Sequence, residues 1–276
     1  MELFVTDLDG TLINSKREVP KKSLEILNKL IENGINFTVA TARTPATAVE
    51  ILQNLNLKLP VALMNGVLIY DTKELKYIDI KAIEKETVNK VLDIFKAYNK
   101  NLLVYGVKDN HLWVYHKEFE NVYEYNFYKE RADKILKTFV NVKNYNGSLS
   151  DSNVINFVAF DNYEKIKAIA EEVKCIEGIT VNYYKDVYED CYFLEAYSSE
   201  ASKANGIKYL SKYIEYSKVI CFGDNLNDIP MFELANEAYA TANATEEIKK
   251  IATEVIGSCE DNGVAEFLAD RFKNKY

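Results

Sequence analysis

The sequence is short of the residues that build metal-binding and disulfide-stapled proteins. Its 276 residues include four cysteines, two histidines and one tryptophan. The cysteines lie far apart, form no CxxC pair and have no histidine cluster beside them. This pattern argues against a disulfide framework and against a zinc site. We therefore expect free thiols, with Cys221 inside a buried strand.

Long hydrophobic runs and an excess of positive charge are also absent. No uncharged apolar stretch approaches the ~20 residues of a membrane span, and the N-terminus shows no basic, apolar leader. With 42 acidic and 34 basic residues, the net charge of −8 argues against binding to nucleic acid or to anionic membranes. These absences predict a cytoplasmic protein that binds neither nucleic acid nor membranes. The oligomeric state is not readable from the sequence.

The chain is long enough for one large domain or two modest ones. Apolar, strand-like stretches at residues 3–5, 35–40 and 61–64 alternate with helical patterns, which predicts a parallel sheet flanked by helices. Further along, hairpin-like strands with two or three helices are typical of an α+β domain. The parallel pattern returns near Cys191 and includes an apolar stretch at 219–222.

We therefore predict an α/β fold in which a Rossmann-like parallel-sheet core is interrupted by one inserted domain. The core is discontinuous and comprises residues 1–82 and 191–276. The inserted α+β domain comprises residues 83–190. No internal repeat, low-complexity tract or linker interrupts this layout.

Two carboxylates at the end of the first strand are the feature around which the chemistry is organised. Leu3 to Val5 is apolar and strand-like, and Asp7 and Asp9 follow it shortly before Gly10. Ligands of open α/β sheets bind outside the carboxyl ends of strands, so both acids lie where a site would form. Because like charges repel, the pair favours a bound Mg²⁺, which prefers oxygen ligands and bridges to phosphate. The alternative is an ordinary Asp-Gly turn.

Three further clusters follow core strands or begin a helix, namely Thr41, Lys203 and residues 224–228. They would add a hydroxyl, a cation and more carboxylates to the same edge of the sheet. This is the inventory of metal-assisted phosphoryl transfer, in which positioning and charge neutralisation do most of the catalysis. Taken alone, Lys203 is more typical of a solvated helix lysine, and Thr41 is unremarkable.

In these motifs the sequence resembles the haloacid dehalogenase-like phosphohydrolases, specifically the Cof-type group (subfamily IIB) with a larger α/β cap. The motifs are Asp7-Leu8-Asp9-Gly10-Thr11-Leu12, Ala40-Thr41-Ala42-Arg43, Asn65-Gly66, Ser202-Lys203 and Gly223-Asp224-Asn225-Leu226-Asn227-Asp228. The first and last motifs each follow an apolar strand, in this order, and form a specific pair. The resemblance covers essentially the whole chain and implies that the inserted domain is a cap of the C2 type.

The resemblance implies a role for each matching residue. Asp7 would be the nucleophile that forms an aspartyl-phosphate, and Asp9 would protonate the leaving oxygen and then deprotonate the attacking water. The implied ligands of Mg²⁺ are the Asp7 carboxylate, the Asp9 backbone carbonyl and Asp224, with Asn225 and Asp228 close by or acting through water. The implied phosphate ligands are Thr41, the backbone of Leu8 and Ala42, Lys203 and Asn227.

Two positions depart from the pattern of this group. Ala42 stands where the group usually has glycine, which adds a methyl group near the phosphate. The segment before Lys203, residues 198–202, lacks the usual proline and glycine, so its local turn is less well specified. Neither change removes a functional group, and we expect activity to persist.

The inserted domain contains aromatic residues but no motif. His111, Trp113 and Tyr115 alternate on a predicted strand and face one side, whereas His116 faces the other. That side is either a recognition surface for substrate or a half-buried sheet face, and we favour the sheet face. Three later tyrosines share the ambiguity: Tyr183, Tyr184 and Tyr188.

The function that these features favour is a Mg²⁺-dependent phosphatase acting on a small phosphorylated metabolite, such as a sugar phosphate or a phosphorylated cofactor. A phosphomutase of the phosphomannomutase-like kind has a similar core and cap, and Asp9 is compatible with both. A third alternative is a non-catalytic phosphate-binding regulatory module, which the presence of Asp7, Asp9, Lys203 and Asp224 disfavours. A pump of the same superfamily would have threonine in place of Asp9 and would need membrane spans. The identity of the substrate is not readable.

Overall fold

The structure of the protein is a computed structural model that describes residues 1–185 and 191–273. The strands are β1 (Glu2–Thr6), β2 (Asn36–Val39), β3 (Val61–Leu63), β4 (Leu68–Asp71), β5 (Lys76–Ile80), β6 (Leu103–Lys108), β7 (His111–His116), β8 (Lys137–Asn141), β9 (Asn153–Asp161), β10 (Ile179–Lys185), β11 (Tyr192–Ser198), β12 (Lys218–Gly223), β13 (Glu237–Thr241) and β14 (Glu254–Ile256). The helices are α1 (Lys21–Glu32), α2 (Pro45–Leu52), α3 (Lys85–Ala97), α4 (Val122–Lys129), α5 (Tyr145–Ser148), α6 (Tyr163–Val173), α7 (Lys203–Tyr209), α8 (Ile229–Leu234), α9 (Glu246–Ile251) and α10 (Gly263–Phe272).

The contacts of the chain divide it into two compact units. The first unit combines Met1–Asp79 with Ser202–Tyr276, and the second is Ile80–Ala201. The predicted boundaries lay at 82/83 and 190/191, so the division by contacts falls a few residues earlier at the first crossing and eleven residues later at the second. The assignment of the units as core and cap domains stays a prediction.

The first unit contains a parallel sheet of five strands in the order β14-β13-β12-β1-β2. Side chains alternate between its faces, and helices cover both. Leu3 and Val5 belong to a hydrophobic cluster with residues of α7, α8 and α9, whereas the ring of Phe4 lies 5.7 Å from that of Phe272 on α10. Strands buried on both faces explain the nearly continuous apolar runs in the sequence. The predicted α/β fold is confirmed.

The stretch predicted as a third parallel strand has a more limited role. β3 touches the five-stranded sheet through one parallel bridge, between Ala40 and Ala62, and otherwise pairs antiparallel with β4. β4 and β5 are adjacent strands of the resulting three-stranded sheet, as the predicted hairpin requires. β3 therefore ends beside β2 and delivers the turn at Met64–Gly66 to the carboxyl edge of the parallel sheet.

The second unit contains a six-stranded sheet in the order β10-β11-β9-β6-β7-β8, antiparallel except between β7 and β8. Helices α3 and α6 pack on one face of it. The cluster between them includes Val91, Phe95, Val104, Phe157, Ile166 and Ile169. β11 pairs antiparallel with both β9 and β10, so the expectation that the parallel pattern returns near Cys191 is wrong. Both edges of β11 are paired within this antiparallel sheet, so the parallel pattern returns only at β12.

The aromatic residues of β7 have the structural role that we favoured. Tyr115 is buried in the hydrophobic cluster below α3 and α6, and Trp113 packs against it. His116 lies on the opposite face, where its ring stacks on Phe119 with the centroids 4.6 Å apart. Tyr183 also packs against the cluster. Tyr188 lies outside the described residues.

The four cysteines carry free thiols, and Cys221 is fully buried in β12. Within residues 1–185 and 191–273, no helix combines the length and the apolar character that crossing a bilayer demands.

Candidate active site

Parallel pairing of β1 with β12 brings the first and last motifs side by side. The N–H of Asp7 donates to the carbonyl of Phe222 at 2.9 Å, so the ladder continues past the end of β1. Asp224 follows the last residue of β12. Carboxylate oxygens of Asp7, Asp224 and Asp228 all lie within 4.8 Å of one another. The acids predicted to meet at the carboxyl edge of the sheet therefore do meet there.

Lys203 lies inside this carboxylate cluster. Its side chain is fully buried, and Nζ lies 2.6 Å from Oδ1 of Asp7 and 2.6 Å from Oδ1 of Asp228. Lys203 is the first residue of α7, and the Ser202 side chain caps this helix by accepting the N–H of Asn205 at 3.0 Å. The segment without proline and glycine thus still forms a defined helix start. Lys203 is not a solvated helix lysine.

The Asn65-Gly66 motif has a steric function next to this helix. Gly66 has φ +86°, and a Cβ on it would lie 2.1 Å from the carbonyl oxygen of Ser202. The N–H of Asn65 donates to the carbonyl of Thr41 at 2.9 Å. Only glycine permits this approach, and the turn therefore links the strand end at Thr41 to the start of α7.

Hydrogen bonds hold Asp224 and Asp228 in fixed positions. Oδ2 of Asp228 accepts the N–H groups of Asp224 at 2.9 Å and Asn225 at 3.1 Å, and its Oδ1 binds Lys203. The Thr11 hydroxyl donates to Oδ1 of Asp224 at 3.2 Å. Gly10 has φ +74°, and a Cβ there would lie 2.2 Å from Oδ2 of Asp224. Asp228 thus orients its neighbours, and Asp224 faces the Asp-Gly turn of the first motif.

Negative charge exceeds positive charge in the cluster. Burial raises the pKa of Asp7 well above its usual value, and the charges of Asp228 and Asp224 add to this, although Lys203 opposes it. Burial likewise raises the pKa of Asp224 to about 6, with a further contribution from Asp228. Burial disfavours the charged form of Lys203, but the two carboxylates outweigh it and raise the pKa of this lysine. One ammonium therefore faces three carboxylates.

A divalent cation fits this arrangement. Carboxylate oxygens are the donors that hard cations such as Mg²⁺ prefer, and a dication would supply the positive charge that Lys203 alone does not. The cluster of Asp7, Asp224 and Asp228 could hold a metal ion. The side chain of Asn225, a predicted neighbour of the metal, is exposed and accepts the N–H of Leu226 at 2.8 Å.

Arg43 is a residue of this edge to which sequence reasoning assigned no role. Its guanidinium binds Asp9 with two hydrogen bonds, from Nε to Oδ2 at 2.7 Å and from Nη2 to Oδ1 at 2.6 Å. The Asp9 side chain is 54% exposed and that of Arg43 is 19% exposed. The sequence feature that could have identified Arg43 is its place in the Ala40–Arg43 motif, two residues after Thr41 and just beyond the end of β2.

The predicted phosphate ligands occupy different environments along the same edge. Thr41 is buried, and its hydroxyl oxygen accepts the N–H of Arg43 at 3.2 Å, which leaves the O–H free to donate. Ala42 and Asn227 are exposed, and Nδ2 of Asn227 lies 3.4 Å from Oδ1 of Asn65. Leu8 is buried, and its carbonyl accepts three N–H groups of the following turn, those of residues 11, 12 and 13.

Comparisons with known proteins agree with this geometry. A family model of haloacid dehalogenase-like hydrolases matches residues 4–268. A putative phosphatase of Buchnera aphidicola subsp. Schizaphis graminum is 28% identical over 281 residues, with 99% of this chain and 97% of that protein covered. The 5-amino-6-(5-phospho-D-ribitylamino)uracil phosphatase YitU of Bacillus subtilis is 23% identical over 273 residues, with 98% and 97% covered.

A solved haloacid dehalogenase-like hydrolase from Bacteroides thetaiotaomicron has a TM-score of 0.78 to this chain at 23% identity, covering 98% of this chain and 99% of the other. At this identity the likeness shows the fold. The resemblance inferred from the motifs is confirmed by the family match, and with it the prediction of an enzyme of this class. The roles of individual residues stay predictions. The chain belongs to the haloacid dehalogenase-like hydrolases.

Proposed function

We propose that this protein is a Mg²⁺-dependent phosphatase that hydrolyses a small phosphorylated metabolite through a phosphorylated Asp7. The observation that carries the proposal is the buried cluster in which Lys203 contacts both Asp7 and Asp228 at 2.6 Å, with Asp224 beside them. Phosphoryl transfer needs an in-line nucleophile and neutralisation of charge on the phosphoryl oxygens. This cluster offers both at the carboxyl edge of the sheet.

The chemistry divides into two displacements at phosphorus. In the first, the oxygen of Asp7 that does not bind Lys203 attacks phosphorus, and the bond to the leaving oxygen breaks. In the second, water attacks the phosphorus of the phosphorylated Asp7, and orthophosphate leaves while the carboxylate is restored. Lys203 and the Thr41 hydroxyl would bind phosphoryl oxygens during both displacements and would stabilise the charge that develops there.

Asp9 would move the proton in both steps. It gives a proton to the leaving oxygen in the first and takes one from water in the second. Both of its oxygens are held by Arg43, so at least one of these bonds has to open before Asp9 can reach a leaving oxygen. The 54% exposure of the Asp9 side chain leaves room for that movement.

Mg²⁺ would be held by the carboxylates of Asp7 and Asp224 with the backbone carbonyl of Asp9, and would add positive charge next to the transferred group. Asp228 would act by orienting Lys203 and the backbone of Asp224, because its two oxygens already accept three donors.

For the substrate we propose a sugar phosphate or a related phosphorylated metabolite. The support is the name of one relative, which acts on a phosphorylated ribityl derivative of uracil. A panel of sugar and sugar-alcohol phosphates, assayed for released orthophosphate, would rank the candidates. Isomerised sugar phosphate without release of orthophosphate would instead support the phosphomutase alternative.

The decisive test is hydrolysis of p-nitrophenyl phosphate by the wild type and by Asp7→Asn. The wild type should turn over with Mg²⁺ and stop when EDTA is added. Asp7→Asn keeps the shape of the side chain but removes the nucleophile, so turnover should fall below detection while the circular dichroism spectrum is unchanged. Undiminished activity in this variant would disprove the mechanism, and an inactive wild type on the whole panel would favour a non-catalytic phosphate-binding role.

A further inference from the structure

The second unit contains a cavity of about 220 Å³ beside its hydrophobic cluster. The residues that line it come from three stretches of the chain: the segment that leads into α3 with the N-terminal part of that helix, the short helix α5 with the turn after it, and the start of β9. All of them lie between positions 82 and 154. The cavity therefore belongs to the second unit and includes no residue of the carboxylate cluster.

Hydrogen bonds hold two walls of the cavity in place. The N–H of Ile83 donates to the carbonyl of Val154 at 2.7 Å, which ties the segment before α3 to β9. On the other side, the Tyr145 hydroxyl donates to the carbonyl of Leu102 at 2.6 Å, and the N–H of Leu149 donates to the carbonyl of Tyr145 at 3.0 Å. The cavity thus lies between elements that the fold of this unit fixes.

The inner surface of the cavity is apolar. Its side chains are buried and belong to the hydrophobic cluster of the second unit: Ile83, Val88, Leu92, Leu149 and Val154. A cavity of about 150 Å³ lined by such side chains can bind benzene. At about 220 Å³, this one has room for a ring or a branched chain that carries a small polar group.

The mouth of the cavity is polar and has one positive charge. Asn89, Asn146 and Asn153 are exposed, and none of their side-chain amides forms a hydrogen bond with a described residue. Lys85 is also exposed and forms no ion pair within residues 1–185 and 191–273. No acid is present among the described residues of the lining. Lys85 and Asn89 are four residues apart on α3 and are therefore neighbours on the surface of this helix.

We propose that this cavity is a binding site for a small monocarboxylate with an apolar body. The body would lie on the apolar inner surface, and the carboxylate would stay at the mouth, where Lys85 and Asn89 donate to it. Charge complementarity favours an anion, because the one charged side chain of the described lining is a cation. A single ammonium balances one negative charge, which favours a carboxylate over a doubly charged phosphate. The proposal stands whether or not the proposed phosphatase function is correct.

The test is a titration with phenylacetate and with phenylacetamide, which has nearly the same shape but no charge. Binding is followed by NMR in the intact protein with ¹³C-labelled isoleucine, leucine and valine methyl groups. The signals of Ile83, Leu149 and Val154 report on the cavity, and those of the first unit report on binding elsewhere. Lys85→Met removes the charge and Lys85→Arg keeps it. Lys96→Met, at an exposed position farther along α3, is the matched control.

We expect phenylacetate to shift the methyl signals of the cavity, with saturation, in the wild type, Lys85→Arg and Lys96→Met. In Lys85→Met the affinity for phenylacetate should fall about fivefold, the equivalent of the ~1 kcal/mol that a good ion pair at an exposed position contributes. Phenylacetamide should bind the wild type more weakly than phenylacetate by a similar factor, and Lys85→Met should not distinguish the two compounds. Because Lys85 is exposed, these substitutions leave the hydrophobic cluster intact.

Three results would overturn the proposal. The first is that neither phenylacetate nor the smaller isovalerate shifts the methyl signals of the cavity, including the case in which only signals of the first unit move. The second is equal affinity of the wild type for phenylacetate and phenylacetamide, which would indicate a site for neutral molecules. The third is undiminished affinity of Lys85→Met for phenylacetate.

Discussion

Each unit of this protein contains a buried lysine that contacts carboxylates, and the two clusters differ in how completely the charge is balanced. In the first unit, Lys203 faces Asp7 and Asp228, with Asp224 nearby. In the second unit, Lys100 faces Glu120, Glu124 and Asp161. Both lysines have side chains with no exposed surface. Three carboxylates surround each lysine, but the two sets of carboxylates differ in how many other donors they contact.

The acids around Lys100 are supplied with further partners by the protein itself. Asp161 also pairs with Lys165 at 3.3 Å, and Glu124 accepts the N–H of Glu120 at 2.8 Å. Burial disfavours the Asp161 carboxylate, but a backbone N–H and the two lysines outweigh this and lower its pKa. The charges of this cluster are balanced by the protein itself, and we expect its role to be structural.

The acids around Lys203 remain under-neutralised, and the pKa values of Asp7 and Asp224 are raised. A buried lysine with carboxylates therefore does not by itself mark a functional site. The excess of negative charge does, because it would be relieved by a bound cation, which would in turn attract a phosphorylated ligand. Three experiments test this distinction.

The largest effect on stability is expected for Lys100→Met. The substitution leaves Glu124, which is 4% exposed, without its cation, and breaking a buried pair in this way costs about 3–5 kcal/mol. Urea unfolding should show this loss, whereas kcat for p-nitrophenyl phosphate should be unchanged under conditions where the variant is folded. Lys96→Met, at an exposed position on α3, should change neither quantity. A large drop in kcat would show that the Lys100 cluster is not merely structural.

The effect of Lys203→Met should fall on catalysis instead. Removing one preorganised charge that stabilises a transition state typically lowers kcat by about 10²–10³-fold, and Asp7 would also lose its orientation. Steady-state kinetics with saturating Mg²⁺ would measure this. Lys208→Met removes an exposed lysine of the same helix and should retain wild-type kcat. If both variants behave alike, Lys203 has no special role in turnover.

The smallest expected effect concerns how stability depends on pH, measured in EDTA. The sign of this dependence should be opposite in the two clusters. The folded-state pKa of Asp224, about 6, exceeds its unfolded value of ~3.9. Between these two pKa values the folded state binds more protons at Asp224 than the unfolded state does. The stability of the wild type relative to Asp224→Asn should therefore rise as the pH falls from ~7 to ~4. The folded-state pKa of Asp161 is lowered, so stability relative to Asp161→Asn should be present above ~4 and decline below it.

Urea unfolding at several pH values, with the wild type and both asparagine variants, would test these signs. The change at Asp224 should be on the order of 1–3 kcal/mol, since one pKa unit corresponds to about 1.4 kcal/mol. If the stability difference from the wild type changes with pH in the same direction for both variants, the proposed difference in charge balance between the two clusters is wrong.

Much of the first unit could be predicted from local patterns. The apolar runs of β1 and β12 and the acids that follow them identify a parallel sheet with a site at its carboxyl edge, and a family resemblance supplied candidate roles. The second unit was predictable only as a class. β11 looks like any short apolar strand in the sequence, and only its pairing with β9 and β10 shows which sheet it joins. Strand propensity predicts that a segment is extended, but it does not predict which neighbouring strands the segment pairs with.

The contacts of single side chains were the least predictable feature. Arg43 was visible in its motif, but nothing local indicates that both of its bonds go to Asp9. In the sequence, Lys100 and Lys137 are each followed by one polar residue and then by apolar, strand-like residues. Their surroundings differ because two stretches of the chain, 120–124 and the end of β9, bring carboxylates to Lys100, whereas the charges that act on Lys137 are those of Arg131 and Lys134.

The fold class, the family and the set of reactive groups can be read from the sequence, because they depend on local order: apolar strands, the acids that follow them, and their spacing. How those groups are charged and oriented depends on the three-dimensional arrangement of the chain. Lys203 and Asp7 are 196 residues apart in the chain and 2.6 Å apart in space. That contact exists because β12 lies beside β1 and Ser202 starts a helix next to them. Electrostatic energy depends on distance and burial, and neither can be read along the chain.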